Sequence, residues 1–331
     1  MQKVRIGIVG VGKLGRLHAA LLKEISKAQL IGIYDRDQGR LETVSAELEI
    51  PAFSSFDELL NSVEAVIIAV PTQFHGEIAE QSLNSGKDIF IEKPITATRE
   101  EADNLLSIAR ARRAKIQVGH IERFNPAFVA IQEEALSPMF IETHRLASFD
   151  PRGTDVAVVL DLMIHDIDLI LTLVKSPIEM IDATGVAVAS READIANARI
   201  RFKNGCVANL TASRISLKKM RKMRIFQKNA YVTLDFLQKQ AEIYHLKDEN
   251  QPNAKNQIAF GLAGPEGFPK KVLYEKRTRE NSNALKQEIL AFVNAIQTDT
   301  LPPVTGEDGR QALDVALQIM EQVHDHAKLY Q

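Results

Sequence analysis

The sequence predicts an α/β chain in two parts. A doubly wound parallel sheet comes first, followed by an α+β domain built on a large, mostly antiparallel open sheet. Three observations lead there. Strand-like and helix-like segments alternate through the first 120 residues, as a parallel sheet with crossover helices requires. A glycine turn, Gly10-Val11-Gly12-Lys13-Leu14-Gly15, lies directly between the first strand and the first helix. After Pro126 the rhythm changes to a succession of short strands. Residues 1–120 are therefore assigned to the first domain and 121–331 to the second, with the terminal helix at 309–326 a candidate to pack back on the first.

Each element has its own reason. Val4–Val9 is rich in β-branched residues and ends at glycine. Leu14–Ser26 carries Leu14, Leu17, Leu21, Leu22 and Ile25 at helical spacing. Leu30–Tyr34 reads as a strand that stops at Asp35, and Leu41–Leu48 as a helix. Ser55 and Glu58 form a capping box for a short helix at Phe56–Asn61. Val63–Val70 is a nearly unbroken apolar run, as a strand buried on both faces should be, and Pro71 ends it. His75–Asn84 reads as a helix stopped by Gly86. Asp88–Ile91, counted as the fifth strand, leads into Glu92-Lys93-Pro94. Thr98 with Glu101 caps a helix reaching about Arg113, and Lys115–Gly119 closes the set.

In the second part, a helix is expected at Phe128–Ala135, a strand at Phe140–Leu146 and one long helix at Val156–Val174. Strands follow at Met180–Val188, Ile195–Phe202, Cys206–Ser213, Met223–Phe226, Tyr231–Asp235 and Ala241–His245. Asn204-Gly205 marks a hairpin turn between two of them. Residues 247–282 are polar with several Gly and Pro, and read as a long loop holding one short strand. Ala284–Gln297 and Gly309–His326 are amphipathic helices.

The bulk properties exclude several classes. A net charge of -2 supplies no field to gather nucleic acid or an anionic membrane. No apolar stretch reaches the roughly 18 residues of a membrane span. The single cysteine, Cys206, forms no internal disulfide, so a reducing, cytoplasmic setting is expected. Val4–Val11 runs into a glycine turn and not into a cleavage site, so it is not read as an export signal. No metal site is expected: there is no Cys/His ligand cluster, and His324 and His326 point to different sides of a helix.

The glycine turn carries chemistry because of where it lies. Gly10 permits a tight turn, Gly12 lets a pyrophosphate approach the backbone, and Gly15 lets the helix pack close to the sheet. Lys13 and Leu14 sit in the same turn, where unpaired helix N–H groups face phosphates. Asp35 stands twenty residues beyond Gly15, at the end of a strand. A carboxylate there accepts ribose hydroxyls and repels a 2′-phosphate, which favours NAD over NADP. Arg36 points the other way if it meets a 2′-phosphate; stacking on adenine or solvation is the alternative.

The glycine turn, Glu92-Lys93-Pro94 and the helix bearing Asp161-Leu162-Met163-Ile164-His165 together resemble the Gfo/Idh/MocA oxidoreductases over essentially the whole chain. That resemblance implies a Rossmann domain followed by an α/β domain with an open sheet. It also implies oxidation or reduction of a hydroxyl, usually on a sugar or cyclitol, with a nicotinamide. It implies a cis bond between Lys93 and Pro94, and it puts Pro71, Thr72 and His75 against the cofactor. Glu92 either pairs with Lys93 or touches the nicotinamide ribose. The residues support the chemistry. Lys93 ends a strand where ligands enter open α/β sheets, and its ammonium suits a reacting oxygen. His165 suits the proton acceptor, because an imidazole titrates near neutrality. Asp161 is four residues before it on one helix, placed to orient the ring. Lys93 and His165, from separate domains, are expected to converge on one alcohol.

The segment Gly119–Ala127 is most similar to the family members that oxidise the 3-hydroxyl of UDP-N-acetylglucosamine. Those members work beside an aminotransferase in making a diamino sugar for lipid A. By that resemblance His120, Arg123 and Asn125 lie by the nicotinamide or the sugar, although Arg123 also suits a domain-packing ion pair. Arg214 follows a strand and is placed to face the active site. The basic run Lys218, Lys219, Arg221, Lys222 and Arg224 is either a solvated edge or a partner for two phosphates. A homodimer or homotetramer is the default for an open sheet. The alternatives are a dehydrogenase of a free sugar or inositol, and a non-catalytic regulator that binds NAD and a sugar.

Overall fold

In the computed structural model of the chain, residues 2–149, 156–248, 258–262, 270–278 and 282–328 are described. The chain forms two compact units, Met1–Phe124 with Asn283–Asp314, and Asn125–Ser282 with Val315–Gln331. The boundary drawn from sequence at 120 thus differs by a few residues, and the segment 283–314 returns to the first unit.

The first unit holds β1 (Val4–Val9), α1 (Lys13–Lys23), β2 (Ala28–Tyr34), α2 (Gln38–Leu48), α3 (Phe56–Ser62), β3 (Ala65–Ile68), α4 (His75–Asn84), β4 (Asp88–Glu92), α5 (Arg99–Arg112) and β5 (Ile116–Gly119). Its sheet is parallel, in the order β2-β1-β3-β4-β5, with the order reversing beside β1. Glu92 therefore ends the fourth of five strands, not a fifth. Every residue of β3 is buried, the mark of a central strand covered on both faces. Thr98 and Glu101 make the full reciprocal capping box at α5. Ser55 makes only its own half, because the Glu58 carboxylate accepts from the Ser54 hydroxyl.

One helix leaves two of its leucines exposed. Along α1 the buried residues are Gly15, His18, Ala19 and Leu22, while Leu14 and Leu17 are 45% and 46% exposed. Close packing of α1 on the sheet demands small residues at the contact. Leu14 is pushed to the rim of a cleft, and the apolar spacing alone does not mark the buried side.

The second unit begins with α6 (Pro126–Val129), shorter than the helix expected at 128–135. It continues with β6 (Phe140–Leu146), a π-helical turn at Val159–Met163, α7 (Ile164–Leu173), β7 (Ile178–Val186), β8 (Ile195–Phe202), β9 (Val207–Ser213), β10 (Met220–Gln227), β11 (Ala230–Asp235), β12 (Gln240–Asp248), β13 (Ile258–Leu262) and β14 (Lys270–Thr278). The sheet has nine strands in the order β13-β14-β12-β11-β10-β6-β9-β8-β7. Only β6 and β9 pair in parallel. The region read as a loop with one short strand contains two strands, and β14 pairs with β12 along its whole length. Its alternation is masked in sequence by lysines and arginines on both sides.

Ile141, Thr143, Arg145, Met223, Ile225, Val232, Ile243 and Leu273 form the covered face of this sheet. On the opposite face Phe140, Phe226, Tyr231, Tyr244 and Tyr274 stand in one row, each opposite the next in register. Their neighbouring ring centroids are 4.7–5.8 Å apart. The last two helices are α8 (Ala284–Thr298), which packs Ile289, Phe292 and Val293 into the first unit's core, and α9 (Gly306–Lys328). In the second unit, Gln322 of α9 accepts from Ala183 N–H and donates to the Ile181 carbonyl, protecting the outer edge of β7.

Candidate active site

The cofactor end is built by main-chain geometry. Gly10 has φ +84°, a left-handed conformation in which a side chain would be strained. A Cβ on Gly15 would lie 1.8 Å from the Gly10 carbonyl oxygen, so only glycine fits. A Cβ on Gly12 would meet nothing within 4 Å, because that position faces open space. The N-terminus of α1 has no side-chain cap. Its N–H groups are left for a ligand or solvent.

Gly10, Gly12, Lys13, Leu14, Asp35, Arg36, Pro71 and Phe74 line a cleft of about 460 Å³ in the first unit. Asp35 is buried, and its carboxylate accepts from Val11 N–H at 2.8 Å and Asp37 N–H at 2.9 Å. An ionised carboxyl has about four lone-pair sites, so it retains capacity for hydroxyl donors. Arg36 lies 4.8 Å over the Phe74 ring and pairs with Glu77 at 3.0 Å. Arg40, which the sequence reading did not single out, pairs with both Asp35 and Asp37. Both arginines at this end of the cleft therefore already face carboxylates. Thr72 lies in a short 3-10 turn just before α4.

The turn after β4 is held from two sides. Glu92 is buried and its Oε1 lies 2.7 Å from Nε2 of His18, which is fully buried on α1. Gly119 makes room for Glu92, since a Cβ there would approach Oε2 to 2.9 Å. The Lys93-Pro94 bond is cis, as the resemblance implied. Lys93 is half-buried. His75 is 1% exposed, with Nδ1 2.8 Å from the Pro94 carbonyl and Nε2 3.0 Å from the Val70 carbonyl. Burial lowers its pKa from 6.5, opposed by those two carbonyl contacts and by Glu92. A neutral imidazole carries one N–H, so the ring donates to one of these two carbonyls and packs against the other.

Beyond β5, His120 is buried. Arg123 pairs with Asp308 at 3.4 Å and donates to the Pro303 carbonyl at 3.3 Å, all within the first unit. Asn125 caps α6 by accepting from Ala127 N–H, and its amide donates to the Phe236 carbonyl at 3.2 Å.

In the second unit the segment expected to be one long helix opens with the π-helical turn, and Ile164 N–H bonds to the Val159 carbonyl five residues back. Asp161 lies inside this wide turn and His165 in the first turn of α7; both are half-buried. Such turns recur at functional sites. Next to His165, Asp166 is buried in a bidentate pair with Arg145 of β6, at 2.8 and 3.1 Å. This pair locks α7 to the sheet. Arg214 is buried and donates to the Val156 carbonyl. Of the basic run, Lys222 pairs with Asp235 and Arg224 with Glu142 across neighbouring strands. Those two cations belong to the sheet; Lys218 and Lys219 are exposed.

Residues 4–120 match the family described as an oxidoreductase family with an NAD-binding Rossmann fold. Residues 141–233 match the Gfo/Idh/MocA C-terminal domain. The chain belongs to the Gfo/Idh/MocA oxidoreductases. It is 39% identical over 320 residues to the UDP-N-acetylglucosamine 3-dehydrogenase of Acidithiobacillus ferrooxidans, covering 96% of this chain and 97% of that one. A solved structure of that enzyme superposes with a TM-score of 0.88 at 38% identity, covering 98% and 99% of the two chains. A scyllo-inositol dehydrogenase of Lactobacillus casei, solved with bound NAD(H) and scyllo-inositol, shares the fold at 24% identity and a TM-score of 0.76, covering 98% of each chain.

As a member of this family the chain is a dehydrogenase, and its own residues fit a dinucleotide. The fit lies in the open space at Gly12, the uncapped α1 and the anchored Asp35 beside one cleft. Sequence reasoning missed His18, Arg40, Arg145 and the Asp166 pairing. For His18 a signal existed: a histidine three residues after Gly15, on the side of α1 that must meet the sheet. For Arg145 there was none, because an arginine in a strand normally reads as solvated.

Proposed function

We propose that this dehydrogenase oxidises a secondary hydroxyl of a nucleotide sugar, the 3-hydroxyl of UDP-N-acetylglucosamine, with NAD. The product would be a 3-keto sugar for a partner aminotransferase of cell-envelope amino-sugar synthesis. One observation carries the substrate: 39% identity, over 96% of the chain, to an enzyme named for that reaction. In this reading Lys93 donates a hydrogen bond to the reacting oxygen and holds developing negative charge. His165, oriented by Asp161, accepts the hydroxyl proton. When bound, the nicotinamide accepts the hydride. His120, Arg123, Asn125 and Arg214 orient the sugar or the segments around it, with Arg123 and Asn125 acting through the contacts they make with Asp308 and Phe236.

NAD is favoured over NADP by charge. A 2′-phosphate would meet Asp35 and Asp37, and the nearby Arg36 and Arg40 are already paired with acids. The aromatic row on the open sheet face is the surface we assign to a second copy of the chain, as a homodimer or half of a homotetramer.

The deciding experiment incubates the purified protein with NAD and a panel of UDP-sugars, inositols and free sugars, and detects a keto product by mass. A product from UDP-N-acetylglucosamine supports the reading. Turnover of inositol alone would move the substrate to the free-polyol class. Binding of NAD and sugar without any NADH would favour a regulator. Lys93→Ala is expected to lower kcat by about a hundredfold or more with NAD affinity retained.

A further inference from the structure

We propose that His18 and His75, buried on two different helices of the first unit, are positioning residues for Lys93. They grip the Glu92-Lys93-Pro94 turn, one through a side chain and one through the main chain. The inference rests on the assignment of Lys93 to the reaction.

His18 comes from α1, the helix that opens at the glycine turn, and its Nε2 lies 2.7 Å from the Glu92 carboxylate. The other nitrogen, Nδ1, is buried with no hydrogen-bond partner among the described residues. Nε2 is therefore the nitrogen that donates, to the Glu92 carboxylate, which can only accept. The ring otherwise meets apolar surface, including the edge of Phe90 at 5.1 Å between centroids. Burying an imidazole there, with one nitrogen unsatisfied, costs stability that an aliphatic side chain would not. Packing gives no reason for it; fixing Glu92, one residue before Lys93, does.

His75 works on the residue after Lys93. Its ring spans from the Pro94 carbonyl to the Val70 carbonyl. Val70 lines the dinucleotide cleft. The ring donates to one of these carbonyls and packs against the other, so its rigid width sets the spacing between the cleft wall and the turn that presents Lys93. Neither ring nitrogen is left to touch a ligand directly. The part expected of His75 from the family resemblance, at the cofactor, is in this proposal carried out through Val70 and Pro94.

A displaced ammonium loses rate before it loses binding, since misplacement by about 1 Å can cost 10²-fold. The test uses the full chain with NAD and UDP-N-acetylglucosamine, and compares His18→Gln with His18→Asn. Glutamine can carry an N–H to the place of Nε2; asparagine is too short. The expected result is near-normal kcat for His18→Gln and a loss of about ten- to a hundredfold for His18→Asn and for His75→Asn. Substrate KM and the NAD dissociation constant should stay within about threefold. Trace acetylation with acetic anhydride, read by mass, should show changed reactivity of Lys93 in both asparagine variants and unchanged reactivity of Lys218. This readout needs no turnover. Equal kcat for His18→Gln and His18→Asn, or unaltered Lys93 reactivity, overturns the proposal. Lost turnover in Lys93→Ala with normal turnover in both asparagine variants overturns it alone. Retained turnover in Lys93→Ala overturns it together with the functional reading.

Discussion

The glycine turn of the first unit and the His165 segment of the second hold polar groups ready by opposite means. In the turn, the main chain does the work. Gly10 takes a left-handed φ, Gly15 packs against a carbonyl, and α1 starts without a side-chain cap. Around His165 the side chains do it. A buried arginine clamps Asp166 while the backbone relaxes into a wide π-helical turn one step earlier. A backbone device tolerates no substitution at its contact points but asks nothing of its neighbours. A side-chain device asks for a matched partner from a distant strand, and it fails when either member is removed.

The sharpest break of the first device is Gly15→Ala. Its methyl group would overlap the Gly10 carbonyl oxygen, so a loss of roughly 5 kcal/mol or outright unfolding of the first unit is expected, measured by denaturant titration. The second device should break nearly as hard. Arg145→Ala leaves a buried carboxylate without its guanidinium, and about 3–5 kcal/mol should be lost. Replacing Arg145 and Asp166 together by Met and Leu should recover most of that stability while lowering kcat, if the pair serves to place His165. Full activity in the double variant would show that the clamp is only structural.

A smaller effect sharpens the comparison through pH. The native pKa of His75 is lowered below 6.5 because burial disfavours the imidazolium. Below 6.5 the unfolded chain takes up a proton that the native state resists, so stability falls as pH drops from there to the native pKa. The contribution is fully present above 6.5 and flat again below the native pKa. His75→Asn should flatten that part of the stability profile; an unchanged slope in thermal melts from pH 5 to 7 would contradict the assignment of the slope to this ring. The smallest effect on stability is expected at Gly12. A methyl group there points into open space, so Gly12→Ala should shift unfolding by no more than about 0.5 kcal/mol. On the proposed reading NAD affinity should nonetheless drop, because the pyrophosphate would occupy the same space; calorimetry would separate the two.

How far the molecule was legible from its residues depended on how local each signal was. The alternation of β1 through β5, the Thr98 capping box and the Asn204-Gly205 turn are decided within a few residues, and they were read directly. The buried face of α1 was read only in part: Leu22 is buried as its spacing implies, but Gly15 and Ala19 take the tight helix–sheet contact and leave Leu14 and Leu17 exposed. β14 was not read, because its partner β12 lies some thirty residues away and pairing gives a charged stretch its reason to extend. The same holds at the site. Lys93, Glu92 and the glycines announce themselves by motif. His18 and Arg145 become visible only once the strands that receive them are in place.

By itself the sequence determined that a parallel sheet comes first and that its opening turn requires glycine, and it singled out the lysine and histidine proposed for the chemistry. These follow from backbone conformations that few residue types can adopt and from the titration range of an imidazole. Tertiary structure alone decided which neighbours hold those groups: a histidine under Glu92, a second ring bridging Val70 and Pro94, an arginine beneath α7. Burial sets the cost of a polar atom, and burial is a property of the packed chain that no short stretch of residues possesses.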